Sequence, residues 1–106
     1  MKARRIGWAI FIGMSCMFTH ALHAANKFDY QLEAVEIADD VYVFEGKRED
    51  FSVKNGGNIV NSSFVVTERG VIVIDTGISR RYGEQQRAAI AKVTQKPVLG
   101  VYLTHH

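Results

Sequence analysis

The sequence predicts a mixed α/β (α+β) fold in which short strands predominate and one helix crosses between two of them. Three observations lead to this prediction. A continuous β-branched run, VIVID, occupies residues 71–75, residues 76–97 combine helical spacing with a terminal proline, and a second apolar run, VLGVYL, occupies residues 98–103. Continuous apolar runs are typical of strands buried on both faces, and the strand–helix–strand order favours parallel pairing with a right-handed crossover.

Residues 1–24 have the three-part layout of a secretory signal peptide, with cleavage expected after Ala24. Residues 1–5 are basic, residues 6–18 are apolar without a charge, and small residues follow. An apolar stretch of 13 residues is short of the roughly 20 that a spanning helix needs. We therefore expect an exported, periplasmic protein without a stable membrane span after cleavage; an uncleaved membrane anchor is the alternative.

The net charge of the chain changes when the predicted signal peptide, residues 1–24 and here called the leader, is excluded. The whole sequence has 13 basic and 11 acidic residues, but three of the basic ones, Lys2, Arg4 and Arg5, lie in the leader. Residues 25–106 then hold ten basic and eleven acidic residues, which removes the electrostatic basis for nucleic-acid binding. Cys16 is the sole cysteine, so residues 25–106 cannot form a disulfide and depend on packing.

The first strands follow a polar lead-in at residues 26–34. In residues 35–46, VEIADDVYVFEG, two β-rich pieces flank an Asp-Asp turn signal, which predicts a hairpin or two short strands. Residues 47–57 are charged and then glycine-containing, as expected of a loop. Residues 58–68 read as the next strand, and a tight turn at residues 68–70 leads into VIVID.

The helix is predicted from its start signal, its spacing and its stop signal. Ser79 is suited to the N-cap, and Pro97 ends the segment. Four apolar residues fall at helical spacing: Tyr82, Ala89, Ile90 and Val93.

Asp75 and His105 are the candidate site residues, because each follows a predicted parallel strand and such strand ends share one edge of a sheet. A neutral imidazole suits zinc. His106 would point away from His105 on an extended chain, so the two histidines are not expected to bind one ion together. A solvent-exposed terminal pair is the alternative interpretation.

Asp75 admits several roles on the sequence alone. It could be a catalytic acid, a metal ligand, a support for a metal-bound histidine, or a turn aspartate that accepts from backbone amides. Residues 55–58, NGGN, could likewise form a binding loop or simply a turn.

The chain contains NIVNSSFVVTERGVIVIDTG, followed by the predicted helix and then by VYLTHH. This order of elements resembles the amino-terminal part of a metallo-β-lactamase-fold hydrolase. In that family a strand ends in Asp-Thr-Gly, a helix follows, and the next strand runs into a His-x-His-x-Asp-His motif. His105 matches the first histidine of the motif, His106 its variable position, and Asp75 the buried aspartate that supports the metal site. The resemblance to the family extends over roughly residues 36–106, and residues 55–85, NGGNIVNSSFVVTERGVIVIDTGISRRYGEQ, look closest to exported quinoprotein relay system zinc metallohydrolases.

The resemblance implies half of an αββα sandwich and a zinc hydrolase with one or two ions. Zinc-bound hydroxide would attack an electrophilic centre of a small-molecule substrate, and a periplasmic quinoprotein would be an associated partner. The family pattern is about twice this length, so residues 25–106 are expected to be the amino-terminal part of the domain, truncated at the metal motif and inactive alone.

Two other functions compete with the hydrolase. One is an exported, non-enzymatic binding module in which the histidines are incidental. The other is a homodimeric aspartic protease in which two copies of Asp75 share a proton, since Asp75-Thr76-Gly77 is the triplet of that class. The strong helix signal after the triplet opposes it, because such proteases continue in strands.

Overall fold

A computed structural model describes residues 27–106, so the predicted signal peptide, residues 1–24, lies outside the described part. None of the helices in the described part is long and apolar enough to cross a bilayer. The elements follow the predicted order: β1 (Val35–Ala38), β2 (Val41–Phe44), β3 (Ser62–Val66), β4 (Val71–Ile74), α1 (Arg80–Val93) and β5 (Val98–Tyr102).

The five strands form one sheet in which every strand lies beside its neighbours in sequence. The pairs from β1 to β4 are antiparallel, and β4 pairs with β5 in parallel. Helix α1 is therefore the crossover between the two parallel strands, as predicted. Ile74 lies opposite Tyr102, so the residues that follow β4 and β5 leave the sheet at the same edge.

The core lies between α1 and one face of the sheet, the helix face. Alternation along the strands sends every second side chain to this face, and the rings of Tyr42 and Phe64 stack there with centroids 4.8 Å apart. Six buried residues form the core cluster: Phe44, Phe64, Val71, Val73, Ala89 and Ile90.

Helix α1 begins as predicted, since the Ser79 hydroxyl accepts from the Tyr82 amide at 3.1 Å. It ends at Val93, four residues before Pro97, and the Thr94 amide bonds the Ile90 carbonyl there. Of the four apolar residues at helical spacing, Val93 alone is not buried. As the last helical residue it lies at the end of the buried stripe and is 37% exposed.

Two strand predictions also need correction. The β-branched sequence of β4 predicts burial on both faces, but only Val71 and Val73 are buried, since α1 covers the helix face alone. The opposite face, here called the open face, carries partly exposed Val41, Val43, Val65, Ile72 and Ile74.

The strand predicted for residues 58–68 begins only at Ser62. The chain before it is held in turns: the Asn58 amide bonds the Asn55 carbonyl at 3.0 Å, and the Ile59 amide bonds the Gly57 carbonyl at 2.9 Å. Gly57 has a φ of 76°, a conformation that strands do not adopt. Local turn bonding therefore overrides the apolar character of these residues.

Gly77→Ala and Gly83→Ala form a matched pair of stability tests. A Cβ at position 77 would overlap the buried ring of Tyr82, whereas nothing lies within 4 Å of a Cβ at position 83. We expect Gly77→Ala to lower the free energy of unfolding by about 1–3 kcal/mol through overpacking. Gly83→Ala, inside α1, should raise it by about 0.5–1 kcal/mol through helix propensity.

Denaturant unfolding of the two variants beside the unmodified chain measures both effects. An unchanged stability for Gly77→Ala would contradict the close packing of the β4–α1 connection on Tyr82.

Candidate functional site

Asp75 is the residue at which the chain turns away from the sheet. Its amide still bonds the Tyr102 carbonyl at 2.8 Å, which extends the β4–β5 ladder by one step. Its backbone then takes a φ of 61°, in the left-handed region that aspartate enters more readily than bulkier residues. The Asp75 carbonyl accepts from the side chain of Gln86 at 3.2 Å, so both backbone polar groups are paired.

The carboxylate of Asp75 reaches across the edge to Thr104, just past β5. Oδ1 accepts from the Thr104 amide at 2.8 Å, and Oδ2 accepts from the Thr104 hydroxyl at 2.7 Å. These two bonds, first the amide and then the hydroxyl, hold the pKa of the Asp75 carboxyl below its usual value. Partial burial opposes the shift, and a positive charge on His105 adds to it.

His105 lies next to this pair, as the parallel strand order predicts. Its Nδ1 is 3.0 Å from the Thr104 hydroxyl oxygen and 3.9 Å from Asp75 Oδ1. The side chain is 63% exposed. The structure therefore brings Asp75 and His105 together through Thr104, a residue that the sequence analysis did not single out.

Proton counting fixes the tautomer of the neutral His105 ring. A hydroxyl has one proton, and the Thr104 hydroxyl donates it to the Asp75 carboxylate. The bond between Thr104 and His105 then requires Nδ1 of the histidine to be the donor. Nε2 consequently keeps its lone pair, which is the form in which an imidazole binds a metal ion.

The described residues do not assemble a metal site by themselves. Within residues 27–106 there is no group of three or more histidine, cysteine, aspartate or glutamate side chains that could hold an ion. Both oxygens of Asp75 are bonded to Thr104, and His106 is exposed. Among the predicted site residues, His105 is thus the one with a nitrogen, Nε2, that takes no part in the hydrogen bonds of the site.

A buried polar network lies behind the site and was missed by the sequence analysis. Gln86 Nε2 donates to the Ser62 hydroxyl at 3.0 Å, and that hydroxyl lies 3.0 Å from the Tyr82 hydroxyl. Gln86 is 3% exposed. Its signal was a polar residue one turn after Tyr82 on the apolar stripe of α1, where a buried amide needs partners.

The loop at residues 55–58 shows turn chemistry. Asn55 Oδ1 accepts from the amides of Ser52 at 3.1 Å and Gly57 at 3.0 Å. Its Nδ2 donates to the Asp50 carbonyl at 2.8 Å. These bonds hold a loop from which Phe51 projects with 64% of its surface exposed.

Comparison with known families gives one match. The model of the metallo-beta-lactamase superfamily matches residues 55–106, just under half of the chain. The mixed sheet with its single helix is compatible with the amino-terminal part of that α/β fold, which confirms the predicted fold class. A search of curated proteins returned no match to the chain.

Asp75→Asn tests the Asp75–Thr104 bonds through acid stability. A carboxyl whose pKa is lowered in the folded state stabilises the fold above its unfolded pKa, and the contribution is lost as pH falls through the folded value. The unmodified chain should therefore lose stability below about pH 4, and Asp75→Asn should lose less over that range. Urea unfolding between pH 2 and 6 measures this, with Asp39→Asn in the exposed β1–β2 turn as the control.

Thr104→Val and Thr104→Ser test the hydroxyl that links Asp75 to His105. Valine removes the hydroxyl and retains the backbone amide, so the pKa of Asp75 should rise and the preference for a proton on Nδ1 of His105 should disappear. Serine keeps the hydroxyl and should preserve both properties. Carboxyl and imidazole chemical shifts report them by NMR, and identical spectra for the two variants would refute the link.

Proposed function

We propose that the protein is an exported, zinc-dependent hydrolase of the metallo-beta-lactamase type, with residues 27–106 forming one side of its catalytic site. The observation that carries the proposal is the proton arrangement from Asp75 through Thr104 to His105, which leaves Nε2 of His105 able to coordinate. The match of residues 55–106 to the superfamily model supports the hydrolase-like fold.

The residues present meet only part of what zinc requires. A catalytic zinc site commonly uses three protein ligands and an open position, whereas the described residues bring one free imidazole to the edge. The proposal therefore requires further ligands from outside residues 27–106. When bound, zinc supplies Lewis acidity and lowers the pKa of a water that it holds.

Asp75 acts in this proposal as a positioning residue. Its lowered pKa keeps the carboxyl ionised at neutral pH, and an ionised carboxylate only accepts hydrogen bonds. The Thr104 hydroxyl must then donate to it and accept from His105. Removing such an outer partner of a ligand typically reduces metal affinity 10–100-fold.

Two exposed apolar side chains that meet beside Gly57, one of them three residues after Asp75, support a small-molecule substrate with an apolar part. Phe51 and Ile78 both approach Gly57 closely, and they are 64% and 65% exposed. The hydrogen bonds of Asn55 fix the loop that carries Phe51. Apolar groups held in the open on a fixed loop are typical of binding surfaces.

Export to the periplasm and association with a quinoprotein are part of the same proposal. The basic, apolar and small-residue layout of residues 1–24 supports export. The resemblance of residues 55–85 to quinoprotein relay system zinc metallohydrolases supports the partner.

The geometry of Asp75 opposes the aspartic protease alternative. A shared-proton dyad needs carboxylate oxygens that face one another, but both oxygens of Asp75 accept from Thr104. Helix α1 also begins five residues after Asp75. A non-enzymatic binding module is separated from the hydrolase by the metal experiment below.

Zinc content and hydrolysis of the natural protein, purified from its native host, test the proposal. We expect bound zinc, hydrolysis of at least one aryl ester, thioester or lactam from a test panel, and loss of both on chelation. His105→Ala should lose the metal, and Asp75→Asn should weaken its binding about 10–100-fold.

His106→Ala is the matched control and should retain zinc and activity. Protein that contains no metal and keeps its hydrolytic activity in the presence of a chelator would contradict the zinc proposal. A folded protein without zinc and without hydrolysis would favour the binding module.

A further inference from the structure

The pair Asn55-Gly56 lies in the loop at residues 49–58, here called the Phe51 loop. In such a pair the backbone nitrogen of the glycine can attack Cγ of the asparagine side chain, because glycine has no Cβ to hinder the approach. A succinimide ring forms and ammonia leaves. Water then opens the ring to aspartate or isoaspartate, so that a neutral amide becomes a carboxylate and water is the sole co-reactant.

The side-chain amide of Asn55 is fully bonded in the folded chain. The residue is 6% exposed. Its Oδ1 accepts from the amides of Ser52 at 3.1 Å and Gly57 at 3.0 Å. Its Nδ2 donates to the Asp50 carbonyl at 2.8 Å and to Glu49 Oε2 at 3.3 Å. The amide therefore serves the loop as an acceptor on one side and as a donor on the other.

These bonds oppose ring closure in the folded state. Attack on Cγ would move the Asn55 side chain out of its four hydrogen bonds. The attacking nitrogen, that of Gly56, itself donates to the Val53 carbonyl at 3.2 Å. Because a buried polar group that loses its partner is costly, conversion of Asn55 requires the Phe51 loop to open first by local or global unfolding.

The product does not fit the loop in which it forms. An aspartate at position 55 retains one oxygen for the amides of Ser52 and Gly57, but its second oxygen replaces Nδ2. That oxygen would face the Asp50 carbonyl oxygen and the Glu49 carboxylate, which are both acceptors. Buried acceptors without a donor are unfavourable, and the two carboxylates repel each other. Isoaspartate in addition lengthens the main chain.

We propose that Asn55-Gly56 is a latent modification site whose deamidation opens the Phe51 loop permanently. While the loop is closed, the bonds of Asn55 prevent the reaction. Each opening exposes the pair to conversion, and the product prevents the loop from closing again. Phe51, 64% exposed, is held in position only before the conversion. Neither Asp75 nor His105 takes part, so the site is independent of zinc hydrolysis.

Mass spectrometry of the natural protein, incubated at neutral pH with and without guanidinium chloride, tests the protection. In denaturant Asn55 should convert faster than Asn58 and Asn61, because Ile59 and Ser62 place a side chain beside the attacking nitrogen. In the folded protein Asn55 should convert at least about tenfold more slowly than in denaturant. Equal rates for Asn55 in the two conditions would overturn the proposal.

Asn55→Asp tests the consequence, with Asn61→Asp as the matched control for charge. The Asn61 side chain bonds through Oδ1, which accepts from the Gly46 amide at 2.9 Å, so an aspartate there retains the bond. Chymotrypsin cleavage after Phe51 should be at least about tenfold faster in Asn55→Asp than in Asn61→Asp, because cleavage follows the population of the open loop.

Cleavage after Tyr82, which is 1% exposed, distinguishes loop opening from unfolding of the whole domain. It should be equally slow in both variants. Equal cleavage after Phe51 in the two variants would show that the loop does not depend on the Asn55 donor. Fast cleavage after Tyr82 in Asn55→Asp would show that the change is not confined to the loop, and either result would contradict the proposal.

Discussion

The two bonds from Thr104 to the Asp75 carboxylate are the constraint on which the site depends. β4 and β5 are the only parallel neighbours in the described sheet, so their carboxyl ends meet at one edge. There the chain of Asp75 turns away in a left-handed conformation while its side chain reaches back to the neighbouring strand end. Because the carboxylate uses the one proton of the Thr104 hydroxyl, the proton position on His105 follows.

The helix contributes to the same edge from behind. Gln86 divides its amide protons between the Ser62 hydroxyl and the Asp75 carbonyl, and so joins β3, α1 and the end of β4. Its burial is compatible with stability because these partners replace water. The face of α1 that packs on the sheet thus also supports the backbone from which the Asp75 side chain extends, and core and site share residues.

Much of the fold and one feature of the site could be predicted from sequence. The β-branched run at residues 71–75 and the cap at Ser79 were sufficient for a strand and a helix start, and parallel pairing then placed Asp75 near His105. The mediation by Thr104 could not be predicted, because it depends on a side-chain rotamer and on the left-handed backbone of Asp75. The predicted strand was wrong at Ile59, because an apolar pattern in the sequence contains no information about turn hydrogen bonds.

The sequential order of the strands has a kinetic consequence. Every strand pairs with the one before it, and the β1–β2 and β3–β4 hairpins close over two and four residues, so each hairpin can form from local contacts as the chain emerges during synthesis. The β2–β3 pair closes over residues 45–61. The β4–β5 pair closes a longer loop that contains α1 and carries a larger entropic cost. Asp75 can meet Thr104 only after that step, so the acquisition of the site geometry is a late event in folding and reports on completion of the sheet.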